Sequence, residues 1–130
     1  MKYRLTEETK VVNGVTLHRI EYIKAFADIQ VGDKGGWIEK EDNLSQDGNA
    51  CVYGDACVYD YAHVYGDARI YGDAYVYGNA RVCGDAWVSG DARVFGNAYV
   101  SNMRFHKTAQ VEEYCKVIAE LQEKWDSEEG

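Results

Sequence analysis

The sequence predicts a mainly β chain built as a solenoid, in which short parallel strands stack coil upon coil. Three observations predict it. A six-residue phrase recurs nine times without a break between Gly48 and Ser101. Each phrase alternates inward and outward positions with the period of a strand. All but one of the phrases begin with a Gly-Asp or Gly-Asn pair, which suits a corner because glycine tolerates positive φ and Asp or Asn favours turns.

The repeat predicts which residues form the interior of the solenoid. Within each phrase an alanine and a β-branched residue lie two apart, as in Ala68 and Ile70, so both point to one side of a strand. The residues between and after them, such as Arg69 and Tyr71, then point outward. The one departure is Asp60-Tyr61, which replaces the glycine pair and predicts a distorted corner.

Three phrases make one coil of 18 residues on this interpretation, so residues 18 apart share a stack. The corner stacks are Asn49 with Asp67 and Asp85, Asp55 with Asp73 and Asp91, and Tyr61 with Asn79 and Asn97. The outward columns are Tyr53 with Tyr71 and Ser89, Tyr59 with Tyr77 and Phe95, and Tyr65 with Cys83 and Ser101. The second column is the most continuous aromatic strip.

These repeats resemble the hexapeptide-repeat, left-handed parallel β-helix family, in which an aliphatic residue and a small residue four later, as in Val58 and Ala62, fill a narrow triangular interior. The resemblance covers about half of the chain. It implies a three-sided, left-handed coil, an exception to the usual right-handed crossover. The sequence is thus divided into a hairpin segment (1–36), the β-helix (37–104) and a carboxy-terminal helix with a polar tail (105–130).

The amino-terminal segment predicts a β-hairpin, because Asn13-Gly14 lies between two β-branched runs. The glycine-rich stretch 32–36 predicts a turn. Ile38 and Leu44 lie twelve and six residues before Ala50, which places them in the small-residue register of an irregular first coil.

A second resemblance rests on Gly35-Gly36-Trp37-Ile38-Glu39-Lys40-Glu41-Asp42-Asn43-Leu44-Ser45, which leads straight into the repeats. It is similar to small proteins encoded by bacteriophages and prophages. The likeness implies a viral origin and a host-cytoplasm setting, and it brings no catalytic residues with it.

From about Thr108 the pattern changes to that of an amphipathic helix. Its apolar stripe is Tyr114, Ile118, Leu121 and Trp125, extended by Val111 and Val117. Two uses are open. The helix covers the last coil, where exposed strand edges invite aggregation, or the stripe pairs with another chain and makes a homo-oligomer.

The formal net charge of −8 argues against a nucleic-acid surface, since binding phosphates requires clustered Lys and Arg. A further hypothesis is that the acidic corners mimic the phosphates of DNA. Corner charges on successive coils would be about 4.8 Å apart, which matches the rise of about 3.4 Å between phosphates of one DNA strand only loosely. No apolar run approaches the length of a membrane span, and the expected location is the cytoplasm.

Catalytic chemistry has few candidates. Cys51, Cys57 and Cys83 hold outward positions, and with Cys115 they lack metal-ligand spacing, so reduced thiols without a metal or cofactor are expected. Hexapeptide-repeat acyltransferases resemble this core and are usually trimers with a histidine base. His63 is the only repeat histidine and is the candidate for that role. Carbonic anhydrases of the γ class share the fold, but His18 and His106 lie outside the repeats.

The remaining signal is an aromatic surface. Tyr59, Tyr75, Tyr77, Arg93 and Phe95 are predicted to share one face of the solenoid. Aromatic side chains are favoured interface anchors, and contiguous apolar patches mark contact sites. The sequence therefore favours a non-enzymatic interaction protein that binds a host protein or small ligand, with interference in host defence as one form. The alternative is an acyltransferase-like trimer using His63.

Overall fold

The computed structural model describes residues 1–101 and the backbone at 104–105 and 110–111. Three longer strands come first: β1 (Tyr3–Val12), β2 (Val15–Tyr22) and β3 (Lys34–Ile38), followed by a 3-10 turn at Glu41–Asn43. Short strands then recur along the repeats. They are β4 (Cys51–Val52), β5 (Cys57–Val58), β6 (His63–Val64), β7 (Arg69–Ile70), β8 (Tyr75–Val76), β9 (Arg81–Cys83), β10 (Trp87–Val88), β11 (Arg93–Val94), β12 (Tyr99–Ser101), β13 (Arg104–Phe105) and β14 (Gln110–Val111).

The short strands form a parallel β-solenoid. Every third strand pairs, so that Cys51 lies beside Arg69 and Arg69 beside Trp87. The stacks are β4-β7-β10-β13, β5-β8-β11-β14 and β6-β9-β12. The 18-residue spacing inferred from the repeat is therefore the register of the strands between β4 and β12.

The interior holds the residues that the repeat predicts. Every inward alanine and β-branched residue from Ala50 to Val100 is at most 1% exposed. Backbone bonds join successive coils at the corners, where glycines adopt positive φ. A Cβ on Gly72 would lie 2.9 Å from the Gly90 nitrogen, so the stacked corners leave no space for a side chain.

The corner at Asp60 is regular, and the expected distortion is wrong. Asp60 has φ +59, which is the conformation of the glycines in the equivalent positions. Aspartate tolerates this left-handed region better than most residues. The Asp60 carboxylate also accepts a hydrogen bond at 3.2 Å from the Gly78 N–H one coil away. A side chain is tolerated here because it points at a backbone donor.

The predicted hairpin is confirmed. Asn13 and Gly14 both have positive φ, as a two-residue hairpin turn of this kind requires, and β1 pairs antiparallel with β2. Strand β2 pairs antiparallel with β3, which pairs in parallel with β5. The hairpin thus extends one stack of the solenoid into a seven-stranded sheet.

Two expectations about the junction are corrected. Gly35 and Gly36 lie in β3, not in a turn, because β3 runs close to the first coil: a Cβ on Gly36 would be 2.6 Å from the Ala56 oxygen. Ile38 and Leu44 pair with Val58 and Val64, each 20 residues on. They hold the β-branched register because Leu44 and Val52 lie eight residues apart, whereas successive β-branched positions of the repeat lie six apart.

The solenoid continues past Ser101. Strand β13 pairs with β10 and β14 pairs with β11, now 17 residues apart. Val111 therefore belongs to a strand, and the prediction that places it on a helix is wrong. The rest of the predicted helix, with Tyr114, Ile118, Leu121 and Trp125, lies outside the described residues. Among the residues that are described, no helix has the length and apolar character to cross a bilayer.

Candidate functional site

Aromatic rings stack along one outward column, as the repeat predicts. The Tyr59 and Tyr77 rings are 5.2 Å apart and nearly parallel, and the Tyr77 and Phe95 rings are 5.3 Å apart. In the neighbouring row, the Arg93 guanidinium lies 5.2 Å from the centre of the Tyr75 ring. Repetition at the coil spacing thus lines up π faces and a cation on one sheet.

The hairpin covers the first coil of this face. Leu17, Trp37, Cys57 and Tyr59 form a buried cluster, and Tyr59 is 2% exposed with its hydroxyl accepting from Asn13 Nδ2 at 3.1 Å. The expectation that Tyr59 is an exposed contact is therefore wrong. Four predicted residues remain accessible, and we call them the aromatic face: Tyr75, Tyr77, Arg93 and Phe95.

His63 is held by the 3-10 turn that precedes the repeats. Its Nδ1 lies 2.7 Å from the Asp42 carbonyl oxygen, which comes from the 3-10 turn. Because a carbonyl oxygen only accepts, Nδ1 carries the proton and the neutral ring offers Nε2 as an acceptor. On the next coil His63 pairs with Arg81. The imidazole is oriented, but no carboxylate among the described residues is bonded to it.

The three repeat cysteines are buried, although their positions point away from the interior. Cys51, Cys57 and Cys83 are 2%, 0% and 5% exposed, and all are free thiols. The outward positions are as predicted, and the thiols are buried because neighbouring side chains and the amino-terminal segment lie over them. Burial raises the pKa of the Cys51 thiol to about 11. The described part of the chain contains no cluster of three His, Cys, Asp or Glu able to hold a metal ion.

Side chains, not a strand, complete the first coil of the β4 stack. The Lys2 ammonium donates to the Ala50 oxygen at 2.6 Å. The Tyr22 hydroxyl donates to the Val52 oxygen at 2.8 Å and accepts from the Val52 N–H at 2.9 Å. Burial lowers the pKa of Lys2 to about 8. Tyr22 leads into loop 23–33, which crosses this stack, and the Lys2 ammonium lies 5.0 Å from the centre of the Phe26 ring in that loop.

Loop 23–33 carries a tight turn at Ala27-Asp28. The Phe26 and Ile29 backbones exchange hydrogen bonds of 3.1 and 2.7 Å, and Ala27 takes φ +46, an uncommon conformation for alanine. Phe26 packs edge-on against Tyr22 at 5.4 Å. The base of the turn is thus anchored, and its tip projects over the solenoid face.

The tip meets Arg69 of β7. Asp28 Oδ2 lies 3.4 Å from Arg69 Nη1, and the guanidinium lies 5.3 Å from the centre of the Trp87 ring. The Asp28 side chain is 89% exposed, so this ion pair is screened by water and contributes little stability. Arg69 thus lies between the loop tip and the indole.

Two cavities share Ala27 and Arg69 as a wall, and together we call them the Arg69 groove. One, of about 350 Å³, is polar and is lined besides by Asn49, Asp67, Asp85 and Trp87. The other, of about 220 Å³, is lined besides by Asp28, Ile29, Cys51 and Tyr53. Concave sites with a few convergent polar groups are where small molecules bind.

The Arg69 groove cannot be recognised from the repeat. The repeat correctly places Asn49, Asp67 and Asp85 in one corner stack, but as turn formers or as a mimic of DNA and not as the lining of a groove. The missing information was the path of loop 23–33, and no repeat encodes where that loop lies. An Ala-Asp pair between Phe26 and Ile29 was the only local signal of a turn.

Comparison with known proteins points to the same architecture. The sequence pattern of the family described as YdcK β-solenoid repeat matches residues 68–84 and 74–90. A protein of Escherichia coli (strain K12) named "Uncharacterized acetyltransferase YdcK" is 38% identical over 60 residues. That alignment covers 40% of this chain and 18% of the relative. The fold is that of a β-solenoid repeat protein, and the repeats at residues 68–90 are similar to those of the YdcK β-solenoid family.

Proposed function

We propose that this chain is a non-enzymatic interaction protein, a left-handed, three-sided β-helix that binds a host protein through the aromatic face. One observation carries the proposal. Tyr77 and Phe95 continue the ring stack beyond the hairpin, with the Tyr75-Arg93 pair beside them, all on one sheet and accessible. The three strand stacks support the three-sided coil, and the family resemblance supports the hand.

The hairpin indicates the chemistry of the partner. On the first coil, apolar hairpin residues Val12, Val15 and Leu17 pack on Cys57 and Tyr59. The next two coils offer the same surface without a covering strand among the described residues. A partner that presents apolar side chains would pack on Tyr77 and Phe95 as Val12, Val15 and Leu17 pack on the first coil.

Stacking makes the aromatic face suitable for binding. Neighbouring rings restrict each other's rotamers, so a partner orders few side chains on contact and the entropic cost of association falls. Aromatic and Arg side chains are also the residue types that dominate interface energetics. A bacteriophage or prophage origin and action in the host cytoplasm complete the proposal and rest on the resemblance of residues 35–45.

The proposal is tested by Tyr77→Ser with Phe95→Ser in one protein. Tyr61→Ser is the matched control, because Tyr61 is 70% exposed at a corner of a different stack. The partner captured by the wild-type chain from bacterial lysate, once identified, should bind the double variant at least tenfold more weakly and the control unchanged. Equal binding of all three proteins to that partner would refute the proposal.

Self-association is the competing use of the same face. The mass in solution, measured by light scattering, separates the two uses. A wild-type oligomer that becomes a monomer in the double variant would assign the face to a second copy of the chain. Oligomerisation through Tyr114, Ile118, Leu121 and Trp125 remains a separate prediction, which truncation after residue 111 would test.

The second candidate function is acyl transfer at His63. Two observations favour it: the relative carries the name acetyltransferase, and the bond to Asp42 leaves Nε2 of the oriented imidazole as a base. The chain should then release thiol from an acyl thioester in the presence of an amine acceptor, and His63→Ala should reduce the rate about a hundredfold. Equal rates in both proteins would exclude this function.

A further inference from the structure

We infer that the amino-terminal strands bind a phosphate group through Lys10, Arg19 and Trp37. These residues come from β1, β2 and β3, which are neighbours in the seven-stranded sheet, and β5 separates them from the aromatic face. The site uses no residue of that face, so this inference is independent of the proposed function. It rests on two cations without a carboxylate partner and on two buried donors without an acceptor.

The hairpin brings both cations onto one indole. Arg19 pairs with Trp37 across β2 and β3, and its guanidinium lies 5.1 Å from the centre of the indole ring. The Lys10 ammonium lies 4.6 Å from the same ring centre. The nearby Cys57 thiol does not neutralise Lys10, because burial raises the pKa of that thiol. Two positive charges therefore meet at one point of a chain whose net charge is −8.

Carboxylates of the hairpin pair with other cations. Glu21 binds Arg4 at 2.7 Å, and Glu8 lies 3.9 Å from the Lys34 ammonium. Among the described residues, no carboxylate forms an ion pair with Lys10 or Arg19. The indole face attracts both cations but leaves their charge in place, so the pair can still bind an anion.

Two N–H groups at the same point have no acceptor. Trp37 Nε1 and Arg19 Nε are buried, and neither makes a hydrogen bond within the described part of the chain. Trp37 as a whole is only 6% exposed. A buried donor without an acceptor costs free energy, and most buried polar groups have a partner. Both of these groups are donors and both lie beside cations, so the complementary ligand is an anionic acceptor.

A phosphate group matches these donors better than a carboxylate does. Near neutral pH a phosphate monoester carries about −1.5 to −2 charges and offers three acceptor oxygens, enough for Lys10, Arg19 Nε and Trp37 Nε1. A carboxylate has one charge and two oxygens. Guanidinium groups also bind phosphate through two parallel hydrogen bonds.

Access to the indole N–H requires only side-chain motion. Lys10 and Arg19 are half-buried and unbranched, and β1 is the edge strand of its sheet among the described residues. A phosphate can therefore reach Trp37 when one of these side chains changes rotamer, without separation of the strands.

The test follows the indole N–H signals of the full chain by NMR while inorganic phosphate replaces chloride at constant ionic strength. The Trp37 signal should move downfield and saturate, because its N–H gains a charged acceptor. Trp87 is the internal control: Arg69 lies 5.3 Å from its ring centre, but that guanidinium is paired with Asp28. Equal shifts of both indoles, or no shift of Trp37 at millimolar phosphate, would overturn the inference.

Two further probes define the bound group. Acetate, with a single charge, should bind about tenfold more weakly than phosphate, and equal affinity would overturn the assignment to phosphate. Phenyl phosphate distinguishes the two sources of the group. Binding of phenyl phosphate at least as tight as that of inorganic phosphate would support an ester as the ligand, whereas binding of inorganic phosphate alone would support the free ion.

Matched variants separate the site from a general effect of charge. Arg19→Gln removes the charge and the Nε donor but keeps a long polar side chain, and it should weaken phosphate binding about tenfold. Arg81→Gln removes the same charge from β9 in another stack and should leave the affinity unchanged. Lys10→Gln, on the edge strand, gives an independent measurement if Arg19→Gln perturbs the hairpin, and it should also weaken binding. Equal affinities of the Lys10→Gln and Arg81→Gln proteins would refute the site.

Discussion

The regular coils and the amino-terminal end of the β-solenoid satisfy the backbone and fill the interior in two different ways. From β4 to β12 each coil is completed by a copy of itself, and the interior is filled by alanine and β-branched residues alone. At the amino-terminal end no copy precedes the first coil, and single side chains take over. Lys2, Tyr22 and Asn43 bond to its backbone, and the larger Ile38 and Leu44 close the interior.

This difference indicates that the amino-terminal end is more sensitive to substitution than the regular coils. In the regular coils a lost contact affects one of several equivalent layers. At the amino-terminal end each polar side chain satisfies buried groups for which the fold offers no substitute. Asn43 alone accepts from the Glu39 and Lys40 N–H groups and donates to the Asp60 and Ala62 oxygens. We therefore expect larger effects from substitutions at this end than from substitutions in the coils.

The largest expected effect is that of Gly36→Ala. Its Cβ would lie 2.6 Å from the Ala56 oxygen and 2.7 Å from Val52 Cγ1, so β3 must separate from the first coil. The free energy of unfolding should fall by about 3 kcal/mol in urea denaturation. Gly14→Ala is a useful reference, because its Cβ meets nothing within 4 Å and only the positive φ opposes it. A loss at Gly36 no greater than at Gly14 would contradict close packing of β3.

Tyr22→Phe comes next. It removes one hydroxyl and leaves both the N–H and the oxygen of Val52 unpaired in a buried position, which should cost about 2 to 3 kcal/mol. Tyr77→Phe changes the same group on the half-exposed aromatic face and should change stability by less than about 0.5 kcal/mol. Urea unfolding of both variants checks the pair. Similar losses would mean that the amino-terminal end is no more sensitive than the coils.

Substitutions at Asp60 test what stabilises a corner in which another residue takes the place of glycine. Asp60→Ala keeps the positive φ and loses the bond to the Gly78 N–H, so it should cost about 1 to 2 kcal/mol. Asp60→Gly loses the same bond but relieves the backbone, and it should cost less. Thermal unfolding ranks the two variants. If the two variants lost the same stability, the carboxylate bond and not the backbone would decide this corner.

The smallest effect is a pH dependence at Lys2. Its pKa is about 8 in the folded chain, below the ordinary value of 10.5, because burial disfavours the charged amine. Between these values the unfolded chain binds more protons, so stability rises as pH increases. Raised pKa values of buried Cys51 and Tyr22 act in the opposite direction above about pH 9.

The measurement is therefore confined to pH 7–9. Urea unfolding of the wild-type chain should gain stability relative to Lys2→Met over this range, because only the wild type releases a proton on folding at position 2. A constant difference between the two proteins would show that Lys2 remains fully charged in the folded chain up to pH 9.

The sequence predicted the repeating part of the molecule better than the candidate sites. Periodicity predicted the pairing partner of each strand from β4 to β12 and the ring stack of Tyr59, Tyr77 and Phe95. It failed at Tyr59, which is covered by a hairpin whose Asn13 lies 46 residues away in sequence. It also failed at Gly36 and Val111, where local composition suggests a turn and a helix but pairing with a neighbouring coil gives strands.

By itself, the sequence determined the coil register, the alanine and valine interior, the corner stacks and the Asn13-Gly14 hairpin. Each of these follows from residues within one phrase or one turn, so local backbone preference and burial settle them. Only the tertiary structure decided which outward residues are covered, how Lys2 and Tyr22 complete the first coil, and that loop 23–33 forms a groove over Arg69. Those features depend on how a non-repeating segment packs against the repeats, which no periodic pattern encodes.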